Sequence, residues 1–240
     1  MHVLIVFAHP SRNSFNGALL DAMTEEITSQ GHTVEVSDLY AERFNASGGP
    51  DDFVSMKAPE DFHYQTEQKE AAENDNFVPE IKREQERLRR ADILIFQFPV
   101  WWGGEPAILK GWFDRVATYG VAYADGVRFE TGLFRGRRSL VSVTTGGTPH
   151  RFSADSYYGP IEKVLWPVQQ LFLGYLGFDL SEPQVAYAVA RTDEKEREQA
   201  VQALRVRVRN LLAQPYVRCE IPSTEELLKS VGNRDWRHKG

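Results

Sequence analysis

Three short stretches of this chain carry residue types that could act on a ligand. The first is His9-Pro10-Ser11-Arg12-Asn13-Ser14-Phe15-Asn16, which crowds hydroxyls and amides ahead of a helical pattern. Backbone N–H groups at a helix start lack intrahelical acceptors and favour anions. Ser11, Asn13, Ser14 and Asn16 beside His9 therefore describe a phosphate contact, although Ser14 alone reads equally well as a plain helix cap. The second is Pro99-Val100-Trp101-Trp102-Gly103-Gly104. Tandem Trp next to Gly-Gly makes a flat wall for a planar ring system; the other reading is two core residues of a long loop. The third is Thr144-Thr145-Gly146-Gly147-Thr148-Pro149-His150, with hydroxyls, a glycine turn and a histidine. His150 reads as a proton donor or as a solvent-exposed loop residue.

The elements around these stretches follow from periodicity. Residues 3–8 form a continuous apolar run, the pattern of a strand buried on both faces. Leu19, Leu20, Met23 and Ile27 recur at helical spacing, and Gly31 stops that helix. Residues 32–38 alternate as a second strand. Residues 40–78 read as a polar insertion over the surface, anchored by Phe62, His63 and Tyr64. Residues 78–90 read as a charged amphipathic helix with Ile81 and Leu88 inward and its charges solvated. Ile93-Leu94-Ile95-Phe96 is a third strand. Ala107, Ile108, Leu109, Trp112 and Phe113 place a helix after the Trp loop. The irregular stretch 121–134, with Tyr123, Phe129 and Phe134, could cover a site. Residues 139–143 are a fourth strand. A helix follows through Leu165, Trp166, Val168, Leu171 and Phe172, then a fifth strand at 184–187. A last helix over 192–212 has Thr192 as N-cap and turns Val201, Leu204, Val208 and Leu211 inward. Alternating strands and helices predict a five-stranded parallel sheet with helices on both faces, in the order 2-1-3-4-5 of the flavodoxin-like doubly wound form. Residues 1–213 form one domain, and 214–240 a tail ending in Arg234, Arg237 and Lys239.

Composition limits the partners. The 240 residues carry 28 basic and 34 acidic side chains, a net charge of −6, so no basic surplus exists for nucleic acid. A single cysteine, Cys219, excludes an internal disulfide, and six scattered histidines show no ligand spacing, so no metal is expected. No apolar run approaches a membrane span and no leader pattern opens the chain, so a cytoplasmic location is expected. A serine-hydrolase elbow is absent, and Ala8-His9-Pro10 stands where a phospho-receiver needs acids. In a doubly wound sheet the three stretches meet at the strands' carboxyl ends. The ligand they describe is anionic at one part and flat at another, and a flavin nucleotide fits. The Gly146 and Gly147 amides would then stabilise negative charge on the pyrimidine edge of the reduced ring.

The chain resembles the NAD(P)H:quinone oxidoreductases of the DT-diaphorase type. The resemblance runs through Ala8-His9, Ser14-Phe15-Asn16, Ser37-Asp38-Leu39-Tyr40-Ala41, Phe96-Gln97-Phe98-Pro99 and Pro106-Ala107-Ile108-Leu109-Lys110-Gly111-Trp112-Phe113. It continues through Thr144-Thr145-Gly146-Gly147, Leu165-Trp166-Pro167 and Glu182-Pro183-Gln184. It implies a homodimer with FAD near the subunit interface, and two-electron reduction of quinones by NADH or NADPH in a ping-pong cycle. The flavin contacts it implies fall on His9, Ser14, Phe15, Asn16, Pro99, Val100, Trp101, Trp102, Gly103, Thr144, Thr145, Gly146 and Gly147. At the adenosine end they fall on Arg197, Tyr64 and Asp114, the last standing where the family has Glu; these favour FAD over FMN. Trp102, Tyr123, Asp125, Phe129, Phe152 and Tyr158 fall in the substrate pocket.

The chain departs from the family where protons move. Phe152 and Tyr158 stand where the family has Tyr and His, and Asp125 replaces a second pocket Tyr. Tyr158, with the Gly146 and Gly147 amides, is then the expected stabiliser of reduced flavin, and His150 the substitute proton donor. Two other functions fit the same site: a flavin reductase acting on azo or nitro aromatics, and a flavin-binding redox-sensing module without turnover.

Overall fold

The computed structural model describes residues 1–57, 59–215, 217 and 219–231. One sheet contains strands β1 (His2–Phe7), β2 (Thr33–Asp38), β3 (Ile93–Pro99), β4 (Arg138–Thr144), β5 (Asp179–Leu180) and β6 (Gln184–Ala186). The order is β2-β1-β3-β4-β5, with β6 also on β4, and every ladder is parallel. The expected order is found, but two short strands fill the fifth position. β5 pairs Asp179 with Arg138, and β6 pairs Gln184 with Ser142. The register slips by one residue between them, at Ser181-Glu182-Pro183, where Pro183 has no N–H to give a ladder.

The sheet is buried on both sides, which forces helices onto both faces. Helices α1 (Phe15–Ser29), α3 (Pro79–Arg90), α4 (Ala107–Val116), α5 (Ile161–Trp166) and α6 (Glu194–Ala213) do this, while α2 (Tyr64–Asn74) and α7 (Thr224–Val231) pack outside them. Val3, Ile5 and Phe7 pack with Leu19, Leu20, Met23 and Ile27 of α1 and with Leu204, Val208 and Leu211 of α6. Leu4, Val6 and Phe96 pack on the other side with Leu88, Leu109, Trp112 and Leu165. The N-cap of α6 is Asp193, not Thr192: the Asp193 carboxylate accepts from the Glu196 amide while Glu196 accepts from the Asp193 amide. After α5 the helix widens into a π-helix, Pro167–Gly174. Leu165 and Val168 are buried as the period predicts, whereas Trp166 and Leu171 are exposed.

The insertion is more than a surface excursion. It holds α2 and packs Phe53, Ala71 and Phe77 against Ile81 and Val121. Tyr64 anchors it; Phe62 is exposed. In α3 the expectation of a solvated charged face holds for Arg83, Glu86 and Arg90, which are exposed, and fails at Glu84. Glu84 is wholly buried and accepts from Ser37 Oγ at 2.7 Å, Trp112 Nε1 at 2.8 Å and Arg87. Arg87 also reaches Glu35 and Glu42. The tail wraps the body as far as α7, which buries Leu227 and Leu228, while Arg89 donates to the Pro222 carbonyl at 2.8 Å. Arg234, Arg237 and Lys239 lie outside the described residues. Among the described residues no helix is long and apolar enough to cross a membrane.

Breaking the Glu84 network strands the Ser37 and Trp112 donors and takes one of three carboxylates from Arg87. Glu84→Leu should therefore lower unfolding stability by about 3 kcal/mol, measured as a lower urea midpoint at unchanged slope.

Candidate functional site

The parallel register brings the ends of β1, β3 and β4 side by side, so the loops that follow open on one edge of the sheet. At the end of β1, the Ser11 amide donates to His9 Nδ1 at 3.0 Å. The Ser11 carbonyl oxygen lies at the same distance from Nδ1, so Ser11 holds the ring in place whichever nitrogen carries the proton. The His9 ring lies 6.4 Å from that of Trp101. Ser14 caps α1: its hydroxyl accepts from the Gly17 amide at 3.2 Å and donates to the Ser11 carbonyl at 2.7 Å. The cap reading is thus realised, and it presents the Phe15 and Asn16 amides at the helix start. Gly17 permits this turn, because a Cβ there would stand 1.8 Å from the Arg12 carbonyl oxygen. The Arg197 guanidinium sits 6.0 Å from the centre of the Phe15 ring, held by Thr192 Oγ1 and the Val189 carbonyl. A fixed cation therefore stands beside the α1 N-terminus.

After Pro99, Val100 donates to the Thr144 carbonyl at 2.8 Å, tying the second loop to the third. Trp101 and Gly104 then close on each other through two backbone hydrogen bonds. Trp102 and Gly103 between them both take positive φ, 51° and 78°, the pattern of a two-residue primed turn. A bulky residue in that conformation is strained. It holds the Trp102 ring fully in solvent, with Trp101 partly exposed behind it. The core reading of the two tryptophans is excluded by that exposure. No atom lies within 4 Å of where a Cβ would stand on Gly103, Gly104 or Gly146, so this edge is open.

The third loop is a fixed turn. Thr145 donates its amide to the Ala186 carbonyl, and Ala188 and Val189 donate back to Gly147 and Thr145. Arg191 donates to the Gly146 carbonyl. The Gly147 amide is taken by Thr145 Oγ1 at 3.1 Å. Gly146 is exposed. The Phe152 ring lies over Gly147, where a Cβ would approach it to 2.7 Å. Tyr158 and Tyr187 flank Phe152 with ring centres at 5.3 and 5.8 Å. Burial, then the nearby Glu162 carboxylate, push the Tyr187 phenol upward, so it stays protonated at neutral pH. His150 is exposed on a short turn.

The remaining predicted residues lie elsewhere. Tyr64, Asp114 and Tyr123 line a cavity of about 680 Å³ with Gln65, Phe172 and Tyr175, and none of the residues 9–16, 99–103 or 144–147 contributes to it. Gln65 donates to the Tyr123 hydroxyl at 3.0 Å. Burial raises the Tyr123 phenol. Phe129 packs on Tyr175 at 5.3 Å, and Asp125 sits in the adjoining 124–127 turn. Burial and then its hydrogen bond to Asp52 push the Tyr64 phenol strongly upward. Asp52 in turn pairs with the buried Arg115, which also meets Glu80 and the Asn45 carbonyl. Asp114 is paired with Lys110 at 2.6 Å. Among the described residues the predicted contacts therefore fall into two separate groups.

The geometry fits a known group of proteins. A family model described as a flavodoxin-like fold matches residues 1–212. An NAD(P)H dehydrogenase [quinone] 1 from Cavia porcellus is 38% identical over 209 residues, covering 87% of this chain and 76% of that protein. The ribosyldihydronicotinamide dehydrogenase [quinone] of Homo sapiens is 38% identical over 218 residues, covering 90% and 94%. The chain belongs to the NAD(P)H:quinone oxidoreductase family. Among solved structures, a Klebsiella pneumoniae protein provisionally assigned as a quinone reductase superposes with TM-score 0.85 at 37% identity, covering 93% of each chain. An NAD(P)H:quinone oxidoreductase from Methanothermobacter marburgensis gives 0.68 at 32%, covering 90% and 98%.

Sequence reasoning quoted Gln97 only as part of a motif and did not single out Gly17, Tyr187 or Arg191. A lone polar residue inside the apolar run of β3 was the available signal for Gln97. The exposure of Trp102 predicts that Trp102→Ala changes unfolding stability by less than about 0.5 kcal/mol. Arg115→Met, which strands Asp52 and Glu80, should cost about 3 kcal/mol or more. Parallel denaturant titrations check both.

Proposed function

We propose that this protein reduces quinones by two electrons at the expense of NADH or NADPH, using a bound flavin at the carboxyl edge of β1, β3 and β4. The observation that carries this reading is the convergence there of a helix N-terminus beside Arg197, an exposed tryptophan wall and a rigid glycine turn. The site's open glycines and its cation fit a flavin nucleotide. FAD is favoured over FMN because the family resemblance sets Arg197, Tyr64 and Asp114 at the adenosine end. Bound flavin would supply the redox chemistry, taking a hydride at N5 from the nicotinamide and passing it to the acceptor, so that quinone, NAD(P)H and a proton give hydroquinone and NAD(P)⁺.

The chain's own residues bind, orient and neutralise. The α1 amides and Arg197 hold the phosphates. Trp101 and Trp102 provide a flat face and exclude water from one side. The Gly146 amide donates to the pyrimidine edge, where charge develops. Phe152 offers no hydroxyl, so hydrogen-bond donation from this wall falls to Tyr158, with Tyr187 on the other side of the Phe152 ring; the return of a proton falls to His150 on the exposed 149–152 turn. A homodimer would unite the two groups: the cavity lined by Tyr64, Asp114 and Tyr123 in one copy, with Asp125 and Phe129 beside it, would face the loops of the other. The exposed Trp102, Tyr158, Trp166 and Leu171 suit such a contact. The single cysteine suits a cytoplasmic setting.

One observation favours a second reading. With Phe152 closed over Gly147, the site could bind flavin and respond to its redox state without turnover. A rate comparison on quinone, azo and nitro acceptors, with the released cofactor identified by chromatography, tests the proposal. FAD and quinone turnover above the other acceptors are expected; flavin retained without turnover on any acceptor would support the second reading. Tyr158→Phe should slow reduction by NADPH about tenfold, the loss of one hydrogen bond to developing charge. Stopped-flow measurement of the reductive step checks this, and an unchanged rate removes Tyr158 from the role.

A further inference from the structure

Gln97 interrupts the apolar run of β3 and is wholly buried. Its Nε2 donates to Asn16 Oδ1 at 2.9 Å, and Asn16 Nδ2 donates to Thr144 Oγ1 at 2.9 Å. Asn16 and Thr144 are themselves almost fully buried. The chain of three groups therefore runs beneath the floor of the site. It joins the start of α1, the middle strand and the end of β4. Gln97 Oε1 and Oγ of Ser142, its cross-strand neighbour, are buried and accept or donate no hydrogen bond. A buried acceptor left unmatched is unfavourable. An apolar side chain of the same length would remove that cost but leave Asn16 Oδ1 unmatched instead, so what the glutamine adds is the link to Asn16.

We propose that Gln97 is a positioning residue that fixes the α1 N-terminus against the Thr144–Gly147 turn. It thereby sets the separation between the phosphate end and the ring end of a bound flavin nucleotide. This inference rests on the flavin reading above. Backbone contacts already tie neighbouring strands, through Ala8 N–H to the Gln97 carbonyl and Val100 N–H to the Thr144 carbonyl. The side-chain relay adds a link from the helix itself, across β3, to the glycine turn. A ligand that touches both ends gains from having them preset, because its second contact forms at high effective concentration. A ligand that touches one end gains nothing. Loss of Gln97 should therefore be felt only by ligands that span the site.

The test is calorimetric titration of flavin-free protein, unsubstituted and Gln97→Met, with FAD, with riboflavin and with ADP. FAD affinity should fall about tenfold, while riboflavin and ADP change by less than about twofold. Gln97→Leu, a second apolar replacement that removes the same donor, should repeat the pattern if Gln97→Met does not fold; a cooperative melt establishes folding in each case. FAD bound equally well by folded variant and parent would overturn the inference alone. Equal losses for all three ligands would also overturn it, since that is the signature of general loosening. No FAD binding by the unsubstituted chain would overturn the flavin reading, and the inference with it.

Discussion

The parallel pairing of β1, β3 and β4 is the constraint on which the rest of the molecule depends. Its register sets Phe7, Gln97 and Ser142 in one row, so the three strands end at nearly the same level. Three loops distant in sequence must then emerge together. The same pairing buries both faces of the sheet, which requires apolar helices on each side and leaves the carboxyl edge as the place where polar loops can meet.

A second layer of constraint is electrostatic. Glu84 and Arg115 are charged and buried, and each is satisfied by several partners from different elements. Such groups add little net stability over an apolar replacement, but removing one partner is costly. They therefore lock arrangement more than they hold the fold together. Glu84 fixes α3 to β2 and α4; Arg115 fixes the insertion to α4. Through Arg115 and Asp52 the position of Tyr64, and hence one wall of the cavity, is tied to the core.

Much of this was legible from residue pattern. The apolar runs of β1, β3 and β4, the stripe on α1 and the loops after each strand carry local signals that survive folding. Glu84 shows where such signals conflict. It lies in the stripe Ile81, Glu84, Gln85, Leu88, which is the buried face, so the period pointed inward while the charge pointed outward; a buried partner set, invisible in sequence, decided it. Helix α2 carries little apolar signal, because only Ala71 of it is a buried hydrophobic, with Tyr64 and Ala72 partly buried beside it, and its packing partners are phenylalanines outside the helix. The slip between β5 and β6 depends on pairing with β4 and has no local signature beyond Pro183. The separation of Tyr123 and Tyr64 from the glycine turn is likewise a matter of topology, since residues predicted to share one ligand lie on opposite ends of α4 and its neighbours.

The central claim is that the three loops at the carboxyl edge hold a flavin that cycles between a nicotinamide and a quinone. An anaerobic visible spectrum of the purified protein, taken before and after NADPH and again after quinone, tests it most directly. The account predicts a flavin absorption band that bleaches with NADPH and returns with quinone. A band that NADPH leaves unchanged would contradict it.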